Sequence, residues 1–374
     1  MKKVMIWLLA VVFVMSLTVL GIGCKEPEVV IETVVETVTE TVTETVEVEV
    51  DKEDLLFGYV LHVPNPFTES IKRGAEAASL DYGVNIEVVV TQAGGATQEQ
   101  IALFDALVAK GVVGITVVAA DTAAWIVPIQ NAVDQGVLVA TANVYAQGSS
   151  ATMYAGTSGW MEGQIMGDAI LNDPDAPIDE VGKVIIGSCL PGLPVLEGRT
   201  DGLIDKLSTN PNWEISDVFD TTLALESTVA FWENTYLANP EMIMGCGSCA
   251  FDGPGILRFK DKYPEADFYF AGYDLEPDGL KALQEKKANI LMGQGPFLQG
   301  YLPMMAMYEH LLNGNPLTEG WADPGSEVVT QANVDDFIER ETNEFAEREW
   351  YDKVIAEQFI PIWEKVKPWS EYTP

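Results

Sequence analysis

At 374 residues the chain exceeds what one compact core ordinarily serves, and about two domains are expected. A hydrophobic content of 48% with 21% charged residues describes a globular protein, and a formal net charge of −36 excludes nucleic acid and anionic surfaces as electrostatic partners.

The first element is an apolar run behind Lys2 and Lys3 that reaches Gly23, with Cys24 directly after it. This resembles a bacterial lipoprotein signal, except that Gly21 stands where a leucine is more usual. It implies a signal peptide over 1–24, a lipid on Cys24 and a location outside the cytoplasm on the membrane. The run is also close to the roughly 20 residues that span a bilayer, so an uncleaved anchor is the alternative. Residues 25–54 repeat Val and Glu every four positions, from Val30 to Val50 and from Glu32 to Glu44. That step drifts around a helix, and in a strand it puts Val and Glu on one face, so the segment reads as an extended acidic linker, with a short coiled coil as the alternative.

From Leu55 strands and helices alternate. Continuous apolar runs such as "LFGYVLHV", "NIEVVV", "GITVVA" and "VLVATANV" read as strands of a parallel sheet covered on both faces. The amphipathic stretches between them end at Gly83, Gly111 and Gly136, as helix C-caps do. The alternation resumes with "KVIIGSCL", "WEISDVFD", "EMIMGCGS", "DFYFAGYD" and "ANILMGQG", which implies two doubly wound α/β domains. Past Asn333 a charged tail carries Trp350, Trp363 and Trp369 and is expected to pack on a domain.

Ligands of open α/β sheets bind outside the carboxyl ends of the strands. The residues expected there are Asn65 and Phe67 after the first strand, Asn143 after the fourth, then Cys189, Ser248 with Cys249, Asp274 and Gln294. Amides and carboxylates beside rings suit a neutral polyhydroxylated molecule, whose hydroxyls need donors and acceptors and whose C–H faces lie on rings. Cys246 and Cys249 have C-x-x-C spacing, which reads as a redox pair, as buried thiols or as part of one disulfide. With two histidines, His62 and His310, no zinc site and no other metal is expected.

"NPF" after the first strand, "YAGTSGWMEGQIMGDAI", "EGRTDGL", "GYDLEPDGLKALQ" and "ILMGQGPFLQGY" follow one another in this order. Together they resemble the periplasmic sugar-binding proteins of ABC transporters, the ribose-binding-like type I class, over roughly Leu55 to Asn333. The resemblance implies two Rossmann-like lobes joined by a three-strand hinge: 55–158 with 295–326, and 159–294 with 327–374. It implies ligand contacts at Asn65, Phe67, Asn143, Glu197, Cys249, Asp252, Asp274 and Gln294, with Arg199 in a structural role. Asn143 stands at or beside a usual aspartate, and Glu197 where relatives carry an arginine, which argues against ribose itself.

The expected function is therefore capture of a small sugar or polyol for an ABC permease by a monomer without a cofactor. A sensor subunit of the same fold, presenting a signal molecule to a membrane receptor, is the alternative. Enzyme readings have less behind them. Gly245, Gly247 and Ala250 form a loose dinucleotide loop, but Pro254 and Gly255 are expected to delay the helix that would receive the phosphate. Asp252 and Asp274 could pair as glycosidase carboxylates, yet nothing in the sequence sets their separation.

Overall fold

The computed structural model describes residues 52–92 and 96–372. Cys24, the leader and the acidic linker up to residue 51 lie outside the described residues. The first lobe is built from β1 (Leu56–Leu61), α1 (Pro66–Tyr82), β2 (Asn85–Val90), α2 (Thr97–Lys110), β3 (Gly114–Val117), α3 (Thr122–Asp134), β4 (Leu138–Ala142) and β5 (Met153–Ala155). The chain then enters a second lobe through α4 (Gly159–Asn172), β6 (Gly182–Ser188), α5 (Pro194–Leu207), β7 (Trp213–Asp220), α6 (Leu225–Ala238), β8 (Met242–Gly247), α7 (Asp252–Lys262), β9 (Tyr269–Tyr273), α8 (Pro277–Gln284) and β10 (Ile290–Gly293). It returns through α9 (Pro296–Asn313) and β11 (Gly320–Ala322), crosses again to β12 (Glu327–Val329), and ends in α10 (Val334–Arg340), α11 (Glu344–Val354) and short turns.

The strands form two six-stranded sheets, ordered β11-β5-β4-β3-β1-β2 and β12-β10-β9-β8-β6-β7. Every pairing is parallel except β12 on β10. The interior strands are buried along most of their length, as β3, β9 and β10 show. That is why they read as unbroken apolar runs. Gly83 and Gly111 cap α1 and α2 at φ 66° and 91°, a left-handed conformation open to glycine without strain. Main chain passes between the lobes at 156–158, 294–295 and 323–326, the three crossings expected of the hinge.

Pro254 does not delay α7, which begins at Asp252. A proline in the first turn removes an N–H that has no intrahelical partner, so the helix tolerates it. Trp125 is fully buried, edge-on to Phe104 at 5.3 Å, in the core of the first lobe. The tail divides between the lobes. Val334 and Phe337 of α10 enter the core of the second, whereas Tyr351, Ile355, Phe359 and Ile362 enter that of the first. Among the described residues no helix is long and apolar enough to cross a membrane.

Candidate functional site

The first wall begins at the mouth of α1. Asn65 Oδ1 accepts the Thr68 N–H at 2.9 Å, and Thr68 Oγ1 accepts the Asn65 N–H at 3.1 Å. This reciprocal cap, with Pro66 in the first turn, fixes the direction in which α1 leaves β1. Phe67 is thereby held half-buried against the core of the first lobe, with one side on a cavity.

The opposite wall comes from the ends of β9 and β10. Gln294 donates from Nε2 to Asp274 Oδ1 at 2.6 Å, and Asn143 of the first lobe reaches Gln294 Oε1 from Nδ2 at 3.5 Å. Gln299 Nε2 holds the Gln294 carbonyl at 2.9 Å, and the Tyr154 hydroxyl donates to the Asn143 carbonyl at 3.0 Å. Asn143 and Asp274 both have left-handed backbones, φ 60° and 67°, which Asn and Asp adopt more readily than other side-chain-bearing residues. A polar chain thus runs from one lobe through the hinge to the other.

A cavity of about 140 Å³ lies between these walls, lined by Phe67, Ser70 and Arg73 on one side and by Asp274, Glu276 and Gln294 on the other. A second, of about 330 Å³, is lined by Asn65, Leu225 and Phe251 and shares Pro66, Glu276 and Pro277 with the first. Burial pushes the Asp274 carboxyl above its ordinary range, against the pull of Arg199 and the Gln294 hydrogen bond. Glu276 is pushed up to about 7 by burial, then by the nearby charges of Asp274 and Glu341.

Glu276 therefore keeps a proton in the folded protein that the unfolded chain releases near pH 4.5. The folded state binds more protons between about pH 4.5 and 7, so this group's contribution to stability declines as pH rises through that window and levels off above it. Glu276→Gln should match the parent near pH 4 and exceed it by ~3–4 kcal/mol at pH 8, at about 1.4 kcal/mol per pKa unit. Urea midpoints at the two pH values check this; a difference independent of pH would mean that Glu276 is solvated.

Behind Asp274 sits a buried ion pair. Arg199 donates from Nε to Glu162 Oε2 at 2.7 Å and from Nη1 to the Ser248 carbonyl at 3.3 Å, with its guanidinium 4.6 Å from the Tyr273 ring centroid. Both partners are buried. Burial works against the Arg199 cation, and Glu162 and Asp274 more than offset it.

Of the expected contacts, Phe67, Asp274 and Gln294 line the first cavity, Asn65 lines the second, and Asn143 lines neither but reaches Gln294; the other three stand apart. Glu197 is exposed on α5. Cys249 is bonded to Cys189, closing the ends of β8 and β6 on each other. Asp252 is fully buried, its oxygens taking the Trp232 Nε1–H at 3.0 Å and the Cys249 N–H at 3.1 Å, and burial pushes it up to about 7. The C-x-x-C cysteines are not partners: Cys246 is a free thiol buried in β8, pushed up to about 12 by that burial. Ser70, Arg73 and Glu276 were absent from the sequence reading of the site. Pro66, Ser70 and Arg73 follow i, i+4, i+7 spacing on α1, and Glu276 lies two residues past Asp274, so both signals were present.

Two sheets with a hinge and a polar cavity between them define a two-lobed binding protein. Residues 58–316 match the periplasmic binding protein domain, and the chain belongs to that family. It is a family of extracytoplasmic binding proteins, not of enzymes. The chain is 23% identical over 297 residues to the xylose/arabinose-binding protein XylF of Sulfolobus acidocaldarius, covering 75% of this chain and 72% of that one. Among solved structures it is similar to an ABC transporter solute-binding protein of Burkholderia graminis in complex with D-arabinose. The TM-score there is 0.70 at 23% identity, over 76% of this chain and 98% of the other. It is also similar to GanP, a glucose-galactose binding protein of Geobacillus stearothermophilus, with TM-score 0.67 at 19% identity over 75% and 99%.

Proposed function

We propose that this protein captures a small sugar or sugar-like polyol between its lobes and delivers it to an ABC importer, held at the membrane by a lipid on Cys24. The observation that carries this reading is the cavity in which Phe67 of one lobe faces Asp274 and Gln294 across the hinge. Asp274 accepts from sugar hydroxyls, Gln294 and Asn143 both accept and donate, and Phe67 offers a face to the ring's C–H groups. Asn65 spends Oδ1 on the helix cap and retains its amide N–H groups for a ligand. Glu197, Cys249 and Asp252 are not among the proposed contacts, given their surroundings. A ligand that touches both lobes binds the closed arrangement better than the open one and shifts the population toward it, and the permease reads that closed shape. The names of the relatives support sugars of the arabinose, xylose and galactose kind as the first to test.

Calorimetric titration with D-arabinose, D-xylose and D-galactose tests the reading. Saturable binding of one of them is expected, with recovery of the sugar unchanged, and silence across the panel would overturn it. Phe67→Ala is expected to weaken that binding by ~1–3 kcal/mol, the worth of a large apolar side chain against the ligand, with the circular dichroism unchanged. An unaltered affinity would remove Phe67 from the site.

A further inference from the structure

The family match ends at residue 316, and the chain beyond it does something the matched domain does not explain. After β12 the segment docks on the second lobe: Phe337 is buried in that lobe's core, and Gln284 Nε2 of α8 donates to Asp335 Oδ1 at 2.8 Å. Arg340 closes α10 by placing Nη1 2.8 Å from both oxygens of Glu327 at the start of β12. Only Glu341, Thr342 and Asn343 separate α10 from α11, and α11 is docked on the first lobe. There Glu347, itself buried, accepts from Ser70 and Arg73 of α1, Arg348 grips both oxygens of Asp81, and the Tyr351 ring stacks on Phe297 of α9 at 4.8 Å. The guanidinium of Arg340 also lies 5.3 Å from the Tyr351 ring, so it touches both helices. The main chain thus passes between the lobes a fourth time, and Arg340 and Glu341 at that passage line the same cavity as Phe67 and Asp274.

The geometry points to a tether: α10 holds the second lobe, α11 holds the first while its Trp350 also packs on Phe337 and the core of the second, and this strap with its three-residue link limits how far the clamp opens. Three residues span about 10 Å when fully extended, so α8 cannot swing away from α1 by more than the slack in that link unless one helix leaves its lobe. A clamp limited in this way stays nearer its closed form than an untethered one, which reduces the reorganisation that binding must supply. The tether rests on the clamp reading, but lobe motion can be measured without any ligand.

The test adds six Gly/Ser residues after Thr342 of the full chain, lengthening the reach by about 20 Å. Bio-orthogonal spin labels are placed at the exposed positions of Val127 in the first lobe and Leu237 in the second. The ligand-free distance distribution of the extended chain is expected to broaden and move to longer distances, and D-arabinose or whichever sugar of the panel binds should do so several-fold more weakly. Glu347→Gln, which loosens the α11 anchor without lengthening anything, should shift the distribution the same way by less, and it decides the matter if the insertion fails to fold. Distributions identical to the parent's in the folded variants would overturn the tether, whereas failure of every sugar to bind would overturn only the ligand assignment.

Discussion

Arg199→Met should destabilise the protein by ~3–5 kcal/mol, the usual consequence of removing one member of a buried ion pair. Glu162 would be left without its cation at a place where burial already pushes its carboxyl up and Arg199 is the largest influence pulling it back. The Ser248 carbonyl would lose its Arg199 donor as well. Because Glu162 can escape by taking a proton, the loss should be smaller at pH 5 than at pH 8. Denaturant midpoints of the variant at those two values test this. A second substitution, Glu162→Leu, should recover part of the loss at pH 8, since an apolar pair costs nothing to keep uncharged. Equal losses at both pH values, with no recovery in the double variant, would mean that the pair matters only for its shape. Ligand affinity should also fall, because Arg199 is the cation that opposes protonation of Asp274.

That pair also marks the limit of what could be read from the chain. The alternation of strand and helix was legible because the interior apolar runs are covered on both faces and some helices are closed by a local signal, as Gly83 and Gly111 close α1 and α2. The cap at Asn65 was legible for the same reason, its partner being three residues away. Asp274 and Gln294 fall at strand ends, and a fold rule about strand ends brings them into view. Contacts made by packing left no such mark. Cys249 pairs with Cys189 across 60 residues because β6 and β8 are neighbours in the sheet, and C-x-x-C spacing pointed instead to Cys246. Glu347 finds Arg73 across 274 residues only after α11 has docked on α1. A charged tail with scattered tryptophans looks the same in sequence whichever lobe receives it.

The close approach of α1 and α9 leads to the last expectation, that Gly300→Ala is destabilising by ~3 kcal/mol. On an exposed helix the same change would stabilise by up to about 1 kcal/mol, since alanine is the better helix former, so the sign alone is informative. A Cβ at Gly300 would stand 1.9 Å from the Ile71 carbonyl oxygen, and one at Gly74 would stand 1.9 Å from the Phe297 carbonyl oxygen. The obstacle in both cases is main chain, which cannot rotate away, so the helices must part by roughly an ångström, at the upper end of overpacking costs. The two helices begin at the cavity: α1 starts at Pro66 beside Phe67, and α9 starts at Pro296 just after Gln294. Parting them moves the ring relative to the amide. Sugar affinity should therefore drop along with the thermal midpoint, and more than in a variant equally destabilised at a remote core site such as Phe104→Leu. If the two variants bind equally well, α1 and α9 do not set the spacing of Phe67 and Gln294, and the glycines serve stability alone.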